Sequence, residues 1–206
     1  MIRGGGYHPP FLFLSSVGML WTSKPRPSTP KPIKTRRLVL RALGPSDAPE
    51  MARYAGDWDV ARMTARIPYP YSEALAEQWM DNLEPGEDVR AVTLGGVLIG
   101  AVGYMPQPDG AAEIGYWIGK PWWGNGYATE AARALVRYCF TKGGYTRLTC
   151  AHFVDNPGSG RVIRKLGFTP VEETCLVWCD ARQAEVETLW YELKRPIMGV
   201  LWRRRS

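Results

Sequence analysis

The stretch Glu113–Glu130, EIGYWIGKPWWGNGYATE, holds most of the fold information in this chain. From Ala112 to Ile118 the residues alternate in face. Glu113, Gly115 and Trp117 lie on one side, and Ile114, Tyr116 and Ile118 on the other, which is the period-two pattern of a strand. Gly124-Asn125-Gly126 then makes a turn. A helix follows from about Ala128 to Thr141, with Ala128, Ala131, Ala132, Leu135 and Cys139 as its apolar stripe and Gly143-Gly144 as its stop. Glycines let backbone N–H groups approach a ligand closely, and a helix N-terminus beside them favours an anion such as a pyrophosphate. A Gly-x-Gly turn alone also serves as a plain strand–helix connection. The chain has no G-x-x-x-x-G-K-[ST], which excludes a P-loop, and Thr129 stands where a dinucleotide fingerprint needs its third glycine.

Downstream, Arg147 to Phe153 reads as the next strand. It is followed by Asn156–Phe168, NPGSGRVIRKLGF, with a helix from Ser159 to Leu166 closed by Gly167. Asn156 suits a turn or cap and Ser159 a helix N-cap. Thr169 to Trp178 and Glu185 to Leu193 form a final hairpin. Upstream, Val89–Leu94, Gly95-Gly96 and Val97–Met105 form a two-residue hairpin. Ser46 and Asp47 cap a helix to about Asp57, on which Ala48, Met51, Ala52 and Ala55 are apolar. Ser72 caps another, with Leu75, Trp79 and Leu83 at helical spacing. Arg36 to Ala42 is the first strand. The order is strand, helices, three strands, helix, strand, helix, two strands. It predicts one α/β domain, with a mixed, mostly antiparallel sheet of about six to seven strands flanked by about four helices. The strand ends near Ile118 and Phe153 carry the polar loops and define a crevice.

Composition agrees with a folded enzyme-sized domain: 206 residues, 45% hydrophobic and 22% charged, with no internal repeat. The net charge of +6 belongs to the ends. Arg3, Lys24, Arg26, Lys31 and Lys34 precede residue 35, and Lys194, Arg195 and Arg203, Arg204, Arg205 close the chain, whereas residues 35–193 carry 20 acids and 16 bases. The body therefore lacks the basic excess of a nucleic-acid face, and no direct DNA binding is expected. An acidic body suits a cationic partner. Four cysteines and two histidines have no metal-ligand spacing, so no metal site is expected, and free thiols fit a reducing cytoplasmic setting. Phe11–Trp21, FLFLSSVGMLW, is too short to span a bilayer, so no stable membrane insertion is expected. The Ser23–Lys34 segment has four prolines in 12 residues and reads as an extended linker. Residues 1–34 are expected to be a poorly ordered extension, 35–195 the domain and 196–206 a basic tail.

Together the two loop segments resemble the GNAT superfamily of N-acetyltransferases. The superfamily's pyrophosphate loop reads Q/R-x-x-G-x-G/A, and Pro121 to Gly126 occupy it here, with Pro121 in place of Gln or Arg. WWGNGYATEA, the opening TRRLVLRAL, the strand EIGYWI, and N-x-x-S followed by KLGF are similar to the branch of ribosomal-protein-alanine N-acetyltransferases. The resemblance implies a splayed sheet with acetyl-coenzyme A between the strands ending near Ile118 and Phe153. It assigns the pyrophosphate to the backbone N–H groups of Gly124, Asn125, Gly126, Tyr127 and Ala128. Ile118 should lie beside the pantetheine arm, its backbone polarising the thioester carbonyl. Asn156 should touch the same arm, and Ser159 and Arg161 the far side of the coenzyme. Many members carry a thiolate-protonating tyrosine where this chain has Ile163, which leaves Ser159 as the candidate acid, acting directly or through water. The strand glutamate of some relatives is replaced by Trp178, which leaves Glu113 as the candidate base.

A thioester needs a neutral amine. Deprotonation at pH 7 costs about 1.4 kcal/mol for an α-amine and about 4.6 for a lysine. With no strong acid in view, a protein or peptide N-terminal amine, such as that of a ribosomal protein, is the favoured acceptor. A small-molecule amine and a non-catalytic coenzyme A-binding module are the alternatives, and a third has the basic tails docking on ribosomal RNA. The acceptor pocket is expected between the helices of residues 46–83 and the final hairpin. Trp58, Tyr69, Tyr71, Trp79 and Trp178 with Asp57, Asp59 and Asp180 suit a cationic amine there. A monomer or homodimer fits the sequence equally.

Overall fold

In the computed structural model, residues 30–195 are described; the N-terminal extension up to residue 29 and the basic tail lie outside the described residues. The chain runs β1 (Ile33–Lys34), β2 (Leu38–Ala42), α1 (Ala48–Ala55), α2 (Trp58–Ala61), α3 (Glu73–Asp81), β3 (Asp88–Leu94), β4 (Val97–Pro106), β5 (Ala112–Ile118), α4 (Tyr127–Thr141), β6 (Arg147–Phe153), α5 (Pro157–Leu166), β7 (Thr169–Cys179) and β8 (Ala184–Lys194). The strands form one sheet in the order β1-β2-β3-β4-β5-β6-β8-β7, antiparallel throughout except for β5 against β6. The α/β class and mixed sheet follow the sequence pattern. The additional elements are the two-residue β1 and the one-turn α2, each too short to show a period.

Helices cover both faces. Ile114 and Ile118 of β5 pack with Ala131, Ala132, Leu135, Val136 and Cys139 of α4 and Ile163 and Leu166 of α5 in the larger core. Across the sheet, Ala91 and Leu98 pack with Ala48 and Met51 of α1 and Ala76 of α3, with Trp117 and Trp79 against them. β5 thus separates two cores by its alternation. Its Ile114, Tyr116 and Ile118 face α4 and α5, and Trp117 faces α1 and α3.

Some helix ends depart from the sequence reading. Asp47 stands before α1 but makes no cap bond. Its carboxylate is engaged by the Arg41 guanidinium at two distances of 2.7 Å and by the Gly44 N–H at 2.9 Å. α5 begins at Pro157, with Asn156 rather than Ser159 as its cap. The Ser159 N–H donates to Asn156 Oδ1 at 3.0 Å, and proline fills the first helical position, where no N–H is needed. Ser72 does cap α3, through the Leu75 N–H. The Leu75–Trp79–Leu83 stripe is displaced, however: Ala76 is the buried residue, Leu75 is exposed, and the helix ends at Asp81.

Candidate active site

The parallel pairing of β5 and β6 is short. Ala112 pairs with Leu148, Glu113 with Thr149 and Ile114 with Cys150, and there the ladder ends. On its other edge β5 stays paired with β4 along its whole length, from Ala112 to Ile118. The strands therefore part after Ile114, and a gap opens between Gly115–Ile118 and the end of β6. The Gly119 N–H donates to Ile99 on β4, so by alternation the backbone polar groups of Ile118 and Tyr116 point the other way, into the gap. The Ile118 carbonyl is bonded there by the indole N–H of Trp123 at 2.6 Å.

At the mouth of the gap, Gly124 and Gly126 have φ of 79° and 78°, a left-handed conformation that favours glycine. A side-chain carbon at Gly124 would meet nothing within 4 Å, so the loop backbone is open to an incoming group. The Asn125 amide donates to the carbonyls of Trp122 and Trp123 at 3.2 and 3.0 Å, which holds the turn shut on itself. Gly126 caps α4, and Tyr127 and Ala128 begin it, so this N-terminus and its dipole point at the gap's mouth.

Sequence reading missed Arg37. The Glu130 carboxylate accepts from Thr35 Oγ1 at 2.7 Å, from the Arg37 N–H at 2.8 Å and from Arg37 Nε at 2.7 Å. That clamp lays the guanidinium over the Tyr127 ring, 4.4 Å from its centroid, and puts Nη2 3.7 Å from where a Cβ on Gly126 would sit. A fixed positive charge thus stands beside the Gly124–Gly126 loop. Burial pushes the Glu130 carboxyl up, but the bonds from Thr35 and Arg37 outweigh it and hold it below its ordinary range.

The far wall of the gap is the start of α5. Asn156 Oδ1 is committed to its cap, and Arg161 is exposed beside the first turn, its Nη2 4.0 Å from a Cβ placed on Gly158. Ser159 Oγ lies 2.8 Å from Tyr116 Oη, so a hydroxyl pair bridges from β5 to α5 on the side of the larger core. Ile163, one turn on, is fully buried and brings no polar atom. Glu113 sits where the strands are still paired, three residues and about 10 Å along β5 from Tyr116. Burial raises its carboxyl, opposed by nearby Arg66 and helped by Glu87, and Gln107 Nε2 lies 3.4 Å from it. It shares the face of Trp117, toward α1 and α3.

On that face a cleft is lined by Arg66, Pro68, Tyr71, Leu75, Trp79 and Asp180, between the helices and the β7–β8 turn. Of the carboxylates expected to face a cationic amine, Asp57 is spent as the cap of α2. Asp59 is paired with Lys120 at 2.7 Å and Arg62 at 3.1 Å. Trp58 packs edge-to-face on Tyr69. Tyr71, Trp79 and Asp180 are the expected residues that line the cleft. Among the described residues, no group of three His, Cys, Asp or Glu is arranged to hold a metal, and no helix is long and apolar enough to cross a membrane.

A sheet that parts beside a glycine-opened helix N-terminus is a crevice suited to an anionic ligand, and comparison with known proteins gives the family. Residues 37–169 match the acetyltransferase (GNAT) domain, and the chain belongs to this family of N-acetyltransferases. It is 31% identical over 147 residues to YoaA, an uncharacterized N-acetyltransferase of Bacillus subtilis, covering 66% of this chain and 81% of that one. It is 28% identical over 118 residues to the ribosomal-protein-serine acetyltransferase of Escherichia coli, covering 48% of this chain and 65% of that one. A solved structure of RimL, a ribosomal L7/L12 α-N-protein acetyltransferase in complex with coenzyme A, shares the fold at a TM-score of 0.66 and 19% identity, covering 80% and 98% of the two chains. GNAT enzymes transfer acetyl groups from acetyl-coenzyme A, so this chain is an acetyltransferase.

Proposed function

We propose that the chain moves the acetyl group of acetyl-coenzyme A to the N-terminal α-amine of a protein or peptide, by direct attack of the amine on the thioester. The observation that carries this reading is the parting of β5 and β6 after Ile114, with the open Gly124–Gly126 loop at its mouth. The N–H groups of Gly124, Asn125, Gly126, Tyr127 and Ala128 receive the pyrophosphate, and Arg37 adds charge to that site. The pantetheine arm lies along Gly115–Ile118, with the Asn156 amide and the gap-facing groups of Ile118 beside it and Arg161 at its outer side. The N–H groups of Tyr116 and Ile118 face the gap, and either one polarises a thioester carbonyl placed against it.

The amine enters from the α1–α3 face, through the cleft at Tyr71, Trp79 and Asp180. Attack at the carbonyl carbon forms the C–N bond and expels the thiolate. Glu113 takes the amine's surplus proton through water, because the spacing along β5 leaves no direct contact. Ser159 donates to the departing sulfur. An α-amine as acceptor is supported by its lower deprotonation cost and by the ribosomal-protein names among the relatives.

Two measurements test the reading. Calorimetry with coenzyme A should show micromolar binding, and its absence would end the reading. Mass spectrometry of N-terminal peptides from cells with and without the enzyme should show loss of acetylation on at least one protein. An unchanged N-terminal proteome, with turnover on polyamines or other small amines, would move the assignment to a small-molecule acceptor.

A further inference from the structure

Tyr116 stands on β5 just past the point where the strand leaves β6, and its ring belongs to the α4–α5 side of the sheet. Its hydroxyl reaches the first turn of α5, where its one hydrogen has two acceptors in range, Ser159 Oγ at 2.8 Å and the Ser159 carbonyl oxygen at 3.3 Å, and the shorter distance favours Oγ. A serine hydroxyl has one hydrogen, so what bonds its oxygen decides where that hydrogen points. Burial raises the Tyr116 phenol far above its ordinary value, which keeps it protonated and a donor at every working pH. Such a phenol releases its proton poorly. What it does well is donate.

We infer that Tyr116 donates to Ser159 Oγ and so turns the single serine hydrogen toward the coenzyme sulfur, making a two-link donor chain for the leaving thiolate. This rests on the coenzyme reading above and assigns Tyr116 as a positioning residue acting through Ser159. Each link polarises the next, so the serine becomes a stronger donor than an isolated hydroxyl. The geometry fits the order of bond changes. The amine arrives on the face of Gly115 and Trp117, where a carbon added at Gly115 would meet nothing within 4 Å. The donor chain lies on the opposite face. The C–N bond forms from one side while the C–S bond breaks toward the other. The nitrogen gives one proton through water to Glu113, the sulfur leaves with its electron pair held by the serine hydrogen bond, and the thiolate takes one proton from water after release. Ile163 is fully buried and contributes nothing to this step, so the strand tyrosine takes over a task that the helix residue lacks the chemistry to perform.

The test needs no acceptor. Coenzyme A itself is bound, and its thiol is titrated by thiolate ultraviolet absorbance in the wild type, Tyr116→Phe, Ser159→Ala and the double variant. A hydrogen bond to an ionised sulfur lowers the bound thiol by about one pH unit, and Ser159→Ala should lose that shift. Tyr116→Phe should lose a large part of it, and the double variant should match Ser159→Ala, because the tyrosine acts only through the serine. A Tm within a few degrees of wild type controls for folding, since Phe keeps the packing and Ala keeps the backbone N–H bonded to Asn156, and each titration is run at saturating coenzyme A. A Tyr116→Phe titration equal to wild type, or losses that add in the double variant, would overturn the chain. Failure of the wild type to bind coenzyme A would instead remove the coenzyme reading, and this inference with it.

Discussion

Single residues decide whether the site exists. Gly126 holds φ of 78° at the head of α4, where a β-branched side chain pays about 1–2 kcal/mol for the left-handed backbone and its Cβ enters the space before Arg37. Gly126→Val should reduce coenzyme A affinity at least about 100-fold by calorimetry, with a loss of only a few degrees in Tm. Unaltered affinity would show that the phosphates bind elsewhere. Glu113 makes the opposite case, because its carboxyl is held above the ordinary value by burial. Ionising it at neutral pH therefore costs stability, and Glu113→Gln should leave Tm at pH 8 unchanged or raised. As a base acting through water it should also lower kcat about 10- to 100-fold and remove the acidic limb of the pH–rate profile. A variant with full kcat would confine Glu113 to structure. The glycine loop was legible in sequence because local backbone demands are written in consecutive residues. Tyr116–Ser159 and Arg37–Glu130 were not, since their partners lie 43 and 93 positions apart and no periodicity links them.

At the level of elements, the site is assembled by pinning three pieces together: the turn before β2, the N-terminus of α4 and the end of β5. Glu130 ties the first two through Thr35 and Arg37, and the Trp123 indole ties the loop to Ile118. Arg37→Ala leaves the Glu130 carboxylate with fewer donors and removes the charge stacked on Tyr127. The expected result is a roughly fivefold or greater rise in KM for acetyl-coenzyme A, little change in kcat and a stability loss of about 1–2 kcal/mol. A fall in kcat with KM unchanged would contradict its assignment to binding. Strands and long helices emerged from the sequence nearly intact because alternation and helical spacing need only one buried face each. The α5 start was misplaced because both Asn156 and Ser159 are good caps, and the proline at 157 was the deciding signal. The α3 stripe failed because a small residue, Ala76, makes the close contact while Leu75 lines the cleft.

Across the whole molecule, the charges that hold the layers share one response to acid. Burial raises the Asp47 carboxyl, but the Arg41 bond and charge and the Gly44 N–H together outweigh it, and the net position is below the ordinary range. Asp59 is lowered by Lys120 and Arg62, Asp109 by the Ala111 N–H and Arg147, and Glu130 by Thr35 and Arg37 against its burial. These groups bind protons more weakly folded than unfolded. Their stabilisation is complete above the unfolded carboxylate values of about 4 and is lost as pH falls through the lower folded values. Glu113 runs the other way: its raised carboxyl favours the folded state at low pH and costs stability as it ionises, so it offsets only part of the loss. Stability should therefore drop steeply from about pH 5 to pH 3. Asp47 is 3% exposed with a two-pronged arginine partner, which makes it the place to test that slope. Asp47→Asn should be less stable than wild type at pH 6, lose less between pH 5 and 3, and converge with wild type in acid. Urea midpoints measured at a series of pH values check this directly. Parallel wild-type and variant curves would mean that Arg41–Asp47 contributes packing and hydrogen bonds but no proton linkage.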